Sequence, residues 1–537
     1  MDTSLPLPSA QLGASSAPRL TLTTLQKVAL PVGAIVFDLL FWRERAALNM
    51  LLYTLFVVVA VLLTLPRHAP QWRSGYFRLT LLGTLLSAVM VAWYGSGAAQ
   101  LACVASLAVW LGYVNQPHLK LVSNALLTAL NSALQVVPKL ASLMRLPNNM
   151  GSQMGRTWFY GRLLGVPLLA LAVFHILFVI ANPVYSDLVS HVLDTIGEWL
   201  ASLFEDISIL HILFFLMGLV LTGAALVLVP VHYFIDQESR LGEFIVRQRD
   251  RVASFAVRRP DFRPQSFRAL DLRKEYLVAL SLLSLVNMLL LVVNVIDINW
   301  IWFGFKPTSN FNLTQFVHEG TYVLILSILV AMGIVLWFFR RNLNFYQKGL
   351  PVLRWLATVW VLQNVVLAVS VGLRNYYYIL YTGLAYKRIG VYGFLLLTLF
   401  GLVTVLLKIW QRRSTYSLVR LNALAAYALM VGLACGNWEI WIARYNLRPE
   451  LQVLDYGFLL DMPDRVLPIL AANQDVLPKR QLVHETYSGA WTKLEPIDAT
   501  QELQQRLREF KALQAARHWP SYTYADWQAY QELNGHE

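Results

Sequence analysis

An all-α fold, a polytopic bundle of transmembrane helices with a small helical extracytoplasmic C-terminal domain, is the class this sequence predicts. Three observations predict it. Of the 537 residues, 57% are hydrophobic and only 14% are charged, where a soluble protein of this size carries roughly 25% charged residues. Mean hydropathy is +0.51. Apolar runs close to the roughly 20 residues that cross a bilayer core recur along most of the chain.

Residues 1–23 mix Ser, Ala, Pro and Leu, show no cleavable signal, and read as a disordered cytoplasmic N-terminus. About eleven spans follow within 24–435, at 24–42, 47–64, 78–95, 97–115, 160–182, 207–231, 275–295, 320–339, 355–373, 388–408 and 417–435. Lys and Arg then orient them. The loops 66–78, 232–274, 340–354 and 408–420 carry Arg73, Arg247, Arg258, Arg341 and Arg412 among other cations, and with eleven spans all four fall on one side. The opposite loop 183–206 has no Lys or Arg but holds Asp187, Asp194, Glu198, Glu205 and Asp206. The N-terminus is therefore expected in the cytoplasm and the tail 436–537 outside, with Arg43 and Arg45 as exceptions in an outer turn.

This asymmetry accounts for the net charge of +13 without invoking nucleic acid. The cationic segment 232–274 is expected to meet anionic lipid and to offer a surface to a cytoplasmic protein partner. Its apolar residues Phe244, Ile245, Val252 and Phe255 suggest a helix lying on the bilayer. In 119–137, Ser123, Asn124, Thr128, Asn131 and Gln135 form a polar stripe, and Val122, Leu126, Leu130, Leu134 and Val137 fill the opposite face. That pattern favours an interfacial helix over a span, and 188–204 reads similarly.

The tail is polar, with helices expected near 463–472 and 499–517, and Leu459, Leu460, Leu467 and Leu470 facing one way. It ends in an aromatic run, Trp519, Tyr522, Tyr524, Trp527 and Tyr530, suited to capping the bundle or gripping carbohydrate or lipid headgroups. Cys103 and Cys435 have neither disulfide nor metal spacing. No P-loop, GxGxxG unit, HExxH or CxxC occurs, so ATP-driven transport, dinucleotide chemistry and zincin-type proteolysis lack a motif. No cofactor or metal is implied.

Polar residues gather near the outer ends of the spans. They are Asp38, Asn49, Asn294, Asp297, His318, Glu319, Arg374, Tyr377 and Arg388, which together make a candidate binding site. A carboxylate placed in a span costs roughly 2.5–3.5 kcal/mol on insertion scales. Asp38 therefore needs a partner, and Arg374 or Arg388 is the expected one. Asn287 and Asn294, seven residues apart, share a helix face and suit interhelical hydrogen bonds. His318 and Glu319 are adjacent and point apart on a helix, which argues against a shared metal. Interfacial Arg and Tyr also serve as plain membrane anchors.

Four stretches resemble a known family. They are Asp38-Leu39-Leu40-Phe41 with Leu48-Asn49, and Leu285-Val286-Asn287 through Asp297 to Val317-His318-Glu319-Gly320. The others are Arg374 through Tyr381 with Gly383, Leu384 and Arg388, and Ile442 through Leu447 with Leu454-Asp455-Tyr456 and Leu467-Pro468. In these the chain resembles the uncharacterised bacterial polytopic membrane proteins of domain-of-unknown-function families 4153 and 4173. It departs from their commoner members at 315–320, where Gln315 and His318-Glu319 replace a more Glu- and Arg-rich segment. The resemblance implies a fold and a bacterial inner-membrane location, and no activity.

The expectation is solute or ion transport, or an envelope-associated role, using the polar outer site. An envelope sensor or scaffold without a catalytic site is the alternative. A membrane-embedded transferase acting on lipid-linked substrates is a further one, with Asp38, Asp297, His318 and Glu319 as acid–base groups and Arg374 and Arg388 on a phosphate. The balance leans away from an enzyme.

Overall fold

In the computed structural model, serine and threonine set the starts of the bundle helices. Thr23 and Gln26 form a reciprocal capping box at α1 (Thr24–Phe41). Ser74, Ser96, Ser208 and Ser414 accept from backbone N–H groups at the starts of α3 (Gly75–Tyr94), α4 (Gly97–Asn115), α6 (Ile209–Leu226) and α12 (Thr415–Ala434). The remaining bundle helices are α2 (Leu48–Thr64), α5 (Val122–Leu143), the short α7 (Tyr233–Ser239), α8 (Ala269–Asp297), α9 (Leu313–Phe338), α10 (Leu350–Thr382) and α11 (Tyr386–Gln411). The structure describes residues 22–143, 208–246, 269–303, 313–339, 342–449, 451, 453–485 and 491–535, with isolated positions between 167 and 189.

Among the described residues, eight helices are long and apolar enough to cross a membrane, and α2 and Val323–Phe338 are shorter apolar helices. The chain is a multi-pass integral membrane protein. The expected span 160–182, the interfacial stretch 188–204 and residues 1–21 lie wholly or largely outside the described residues.

Two compact units divide the chain: Met1–Arg43, Leu55–Ala69 and Ala129–Pro230 make the first, and Glu44–Thr54, Pro70–Thr128 and Val231–Glu537 the second. In the first, α1 packs on α6. A Cβ on Gly218 would lie 2.5 Å from the Phe37 ring, so the missing side chain lets the helices approach. In the second, α3 packs on α4 and α4 on α12, while α10 packs on α8, α9 and α11. Leu283, Ile328, Val335, Leu353, Trp360, Val371, Leu402 and Ile409 form the core around α10.

α5 buries a face of small side chains, Ala125, Thr128, Ala129 and Ser132, and of the expected polar stripe Thr128 is buried while Ser123 is exposed. Thr128 and Ser132 are fully buried, while Leu127, Leu130 and Leu134 are exposed. In the second unit Asn124 donates to Glu238, and in the first the Ser132 hydroxyl accepts from Val229 N–H at 2.9 Å. The segment after α7 differs from the expected surface helix. Residues 240–246 leave the helix and pair with the turn between α11 and α12, where Ile245 N–H donates to Arg412 at 2.8 Å and Ser414 N–H to Glu243 at 2.9 Å. Val252 and Phe255 lie outside the described residues.

The tail contains α13 (Trp438–Asn446), α14 (Tyr456–Leu460), α15 (Leu467–Ala472), α16 (Pro496–Ala516) and α17 (Tyr524–Asn534). It also contains a small sheet that the helical expectation omitted. Strand β1 (Val453–Asp455) runs parallel to β2 (Gln481–Glu485), and β3 (Trp491–Lys493) is antiparallel to β2. These strands are too short to show a period in the sequence. The four expected leucines Leu459, Leu460, Leu467 and Leu470 are buried together with Leu454, Tyr456, Leu503 and Phe510.

Candidate functional site

Polar side chains tie α8 to α10 along a seam. The Asn287 amide donates to the Leu356 carbonyl at 3.1 Å and its oxygen accepts from Gln363 at 3.2 Å. One heptad on, the Asn294 amide donates to the Gln363 carbonyl at 3.1 Å. Seven residues is close to two turns, so both asparagines face the same neighbour. Partners rise in number together on the two helices, so α8 and α10 run parallel.

The seam ends in a buried ion pair. Arg374 Nη2 donates to Asp297 Oδ1 at 2.6 Å, and the two residues are 8% and 3% exposed. Directly after Asp297 the helix widens into a π-type turn, Ile298–Trp302. At the end of that turn the Ile301 carbonyl accepts from the Tyr377 hydroxyl at 3.1 Å, and the Trp302 indole donates to Ser370 at 3.0 Å. Asp297 Oδ2 and Asn294 Oδ1 are buried acceptors without a hydrogen-bond partner among the described residues.

Arg388 closes the next turn. Its guanidinium donates to the Thr382 carbonyl at 3.0 Å and to that of Gly383, and lies 4.3 Å from the centre of the Tyr378 ring. These carbonyls end α10, where orphan acceptors and the helix dipole favour a cation. The Asn375 amide donates to the Arg388 carbonyl at 3.0 Å. Gly383 has φ +87°, and a Cβ there would lie 2.7 Å from Asn446 Oδ1. Glycine thus admits both the turn and Asn446.

Asn446 joins this turn to the tail. Leu384 N–H donates to its side-chain oxygen at 2.6 Å, and its amide returns to the Leu384 carbonyl at 2.9 Å. Arg480 then holds the end of α13 through the carbonyls of Asn446, Leu447 and Arg448. On the same helix Glu439 meets Arg465 at 2.7 Å, with both side chains about 5% exposed. Sequence reasoning missed this pair. Its signal was two charges set among apolar neighbours, Trp438, Ile440 and Trp441 for one and Val466 and Leu467 for the other.

The predicted residues fall in both units. Asn294, Asp297, Arg374 and Tyr377 lie in the seam, and Arg388 adjoins it. Asn49 is fully buried, accepting from Ala47 N–H at 2.7 Å and donating to the Arg45 carbonyl at 2.9 Å. Within the first unit the partner of Asp38 is a histidine. Both its oxygens lie 2.9 Å from His211 Nε2 on α6, whose ring stacks on Trp42 at 4.1 Å. The packing of α1 on α6 decided that pairing. His318 and Glu319 sit in α9, and their side chains lie outside the described residues. Among the described residues, no three His, Cys, Asp or Glu side chains gather as metal ligands would.

The model of a family described as Domain of unknown function (DUF4153) matches residues 56–472. The chain belongs to the DUF4153 family. The matched stretch runs from α2 through α15 and includes the whole seam, Arg388, Asn446 and the Glu439–Arg465 pair. No curated protein and no solved structure matches the chain.

Outside the membrane-crossing helices, Tyr456 of this DUF4153 chain carries the clearest electrostatic perturbation. It is fully buried, and desolvation pushes its phenol above the ordinary range, with Glu502 adding to the rise. Its hydroxyl has no hydrogen-bond partner among the described residues.

Proposed function

We propose that this protein is an envelope scaffold or sensor of a bacterial cytoplasmic membrane. It has about eleven spans, its N-terminus inside and its tail outside. The observation that carries the reading is the internal use of the polar candidates. Asp38 is held by His211, Asp297 by Arg374, and Arg388 by the carbonyls that end α10. A substrate site would keep such groups turned toward a cavity. Instead, bonded groups run from Asn287 through Asp297–Arg374 and Arg388 to Asn446 in the tail, which suits passing a change between bundle and tail. The cationic 232–274 segment would meet anionic lipid and a cytoplasmic partner.

Transport is the second reading, and one observation favours it. Asp297 Oδ2 and Asn294 Oδ1 are buried acceptors beside a π-type turn, a combination that recurs at functional sites. Proteoliposomes separate the two readings. Under the scaffold reading, ion and small-solute flux equals that of empty vesicles, and Asp297→Asn changes protease protection of the tail. Flux above background that Asp297→Asn abolishes would overturn it.

A further inference from the structure

A groove of about 420 Å³ lies where α17 of the tail meets α2 and α3. Its walls are aliphatic on the bundle side, with Leu48, Leu51 and Val89, and aromatic at the rim, with Trp93, Tyr524 and Trp527. The rings form a contiguous series: Trp93 and Tyr524 have centroids 4.7 Å apart, and Tyr524 and Trp527 5.8 Å.

The groove is built rather than incidental. Leu48 N–H donates to the Tyr522 carbonyl at 3.2 Å. Glu44 accepts from the Ser521 hydroxyl at 2.5 Å and meets His518 at 2.9 Å. Gly95 ends α3 at φ +62°, and a Cβ there would lie 2.8 Å from Thr523 Cγ2. The chain at 521–523 is thus fixed tightly over the end of α3.

What fills the groove follows from its continuation. Leu79, Leu82, Leu86, Val89 and Trp93 recur every three to four residues on α3, and each is 37–63% exposed. On a helix apolar enough to cross the membrane, such an outward stripe faces acyl chains. The groove is the end of that lipid-facing stripe, roofed by the tail. Trp and Tyr at its mouth are the side chains that settle at the depth of lipid ester groups.

We propose that this groove holds one acyl chain of a membrane lipid. The chain lies along the α3 stripe with its ester end among Trp93, Tyr524 and Trp527. The tail thereby reads the adjoining leaflet through a bound lipid as well as through its own contacts. This inference does not depend on the scaffold reading.

The test uses full-length protein released from phospholipid nanodiscs for native mass spectrometry. Ala92→Trp fills the groove from the α3 side. Trp527→Ala removes part of the rim and serves as the second variant should Ala92→Trp fail to fold. Each is expected to retain one lipid fewer than wild type. A benzoylphenylalanine at position 522 is expected to cross-link to phospholipid. Equal lipid retention in a folded variant, or cross-linking to a second copy of the chain instead of lipid, would overturn the proposal.

Discussion

Asp38 and Asp297 are both carboxylates at the ends of apolar helices, and the structure treats them differently. Asp297 meets an arginine, and the two side chains are 5% and 9% exposed. Asp38 meets a histidine, with side chains 19% and 43% exposed. The first pair is sealed within packed helices and surrounded by further polar groups of the seam. The second lies under a tryptophan ring but remains open on one side. Burial of the partner, rather than the presence of an acid in a span, decides how much of the fold depends on it. Breaking a buried pair strands a charge, whereas breaking an open one leaves that charge to solvent.

The widest gap between the two regions should appear on removing Arg374. Arg374→Ala leaves Asp297 buried and uncompensated, at a cost of roughly 3–5 kcal/mol. The unfolding midpoint in nanodiscs should fall accordingly. Replacing both partners by apolar residues of similar volume, Asp297→Leu with Arg374→Met, should recover most of the loss, because no charge then remains. A single-variant cost below about 1 kcal/mol would mean that the pair behaves as an exposed one.

The next effect tests how firmly the seam is joined to the tail. Asn446→Ala removes both hydrogen bonds to Leu384. It leaves a backbone donor and acceptor unmet beside Gly383, at a cost of about 1–3 kcal/mol. Protease cleavage of the tail should accelerate while the spanning helices stay protected. Unchanged cleavage would show that Arg480 and the tail core hold the junction without Asn446.

How much of this was legible in the sequence depends on the range of the interaction. Helices α3, α4 and α6 could be read because length and apolarity are local. Asn287 and Asn294 were legible as a shared face because seven residues fix a direction on a helix. The leucines of the tail core declared themselves in the same way. Partner choice was not legible. Nothing in the order of residues says that α1 packs on α6, so Asp38 could not be assigned to His211. Arg388 looked like a ligand for an anion, yet it satisfies the carbonyls of its own turn. Glycine at 383 was the local hint of that turn.

A smaller effect separates the tail core from the seam by pH. The Tyr456 phenol is pushed up in the folded state, while the unfolded chain titrates near pH 10. Below that pH both states hold the proton, and Tyr456 contributes no pH dependence. Above it the unfolded state loses the proton first, so stability falls by about 1.4 kcal/mol per pH unit from this group. Tyr456→Phe should remove that slope. At neutral pH it should be neutral or stabilising by about 1 kcal/mol, since it deletes a buried hydroxyl without a partner. Tail unfolding followed against pH in both proteins checks this, and equal alkaline slopes would place the phenol's proton loss elsewhere.

The smallest effect closes the comparison. Asp38→Asn keeps the shape of the side chain and one acceptor for His211, and removes the charge. With His211 43% exposed, the pair should contribute at most about 1 kcal/mol. The packing of Phe37 and Trp42 on Phe214, with ring centroids 5.1 and 5.2 Å apart, remains to hold α1 on α6. An unfolding midpoint for Asp38→Asn within a degree or two of wild type is therefore expected, against the large fall for Arg374→Ala. A fall of similar size in both would mean that Asp38 is as sealed as Asp297, and the contrast between open and buried pairs would not hold in this fold.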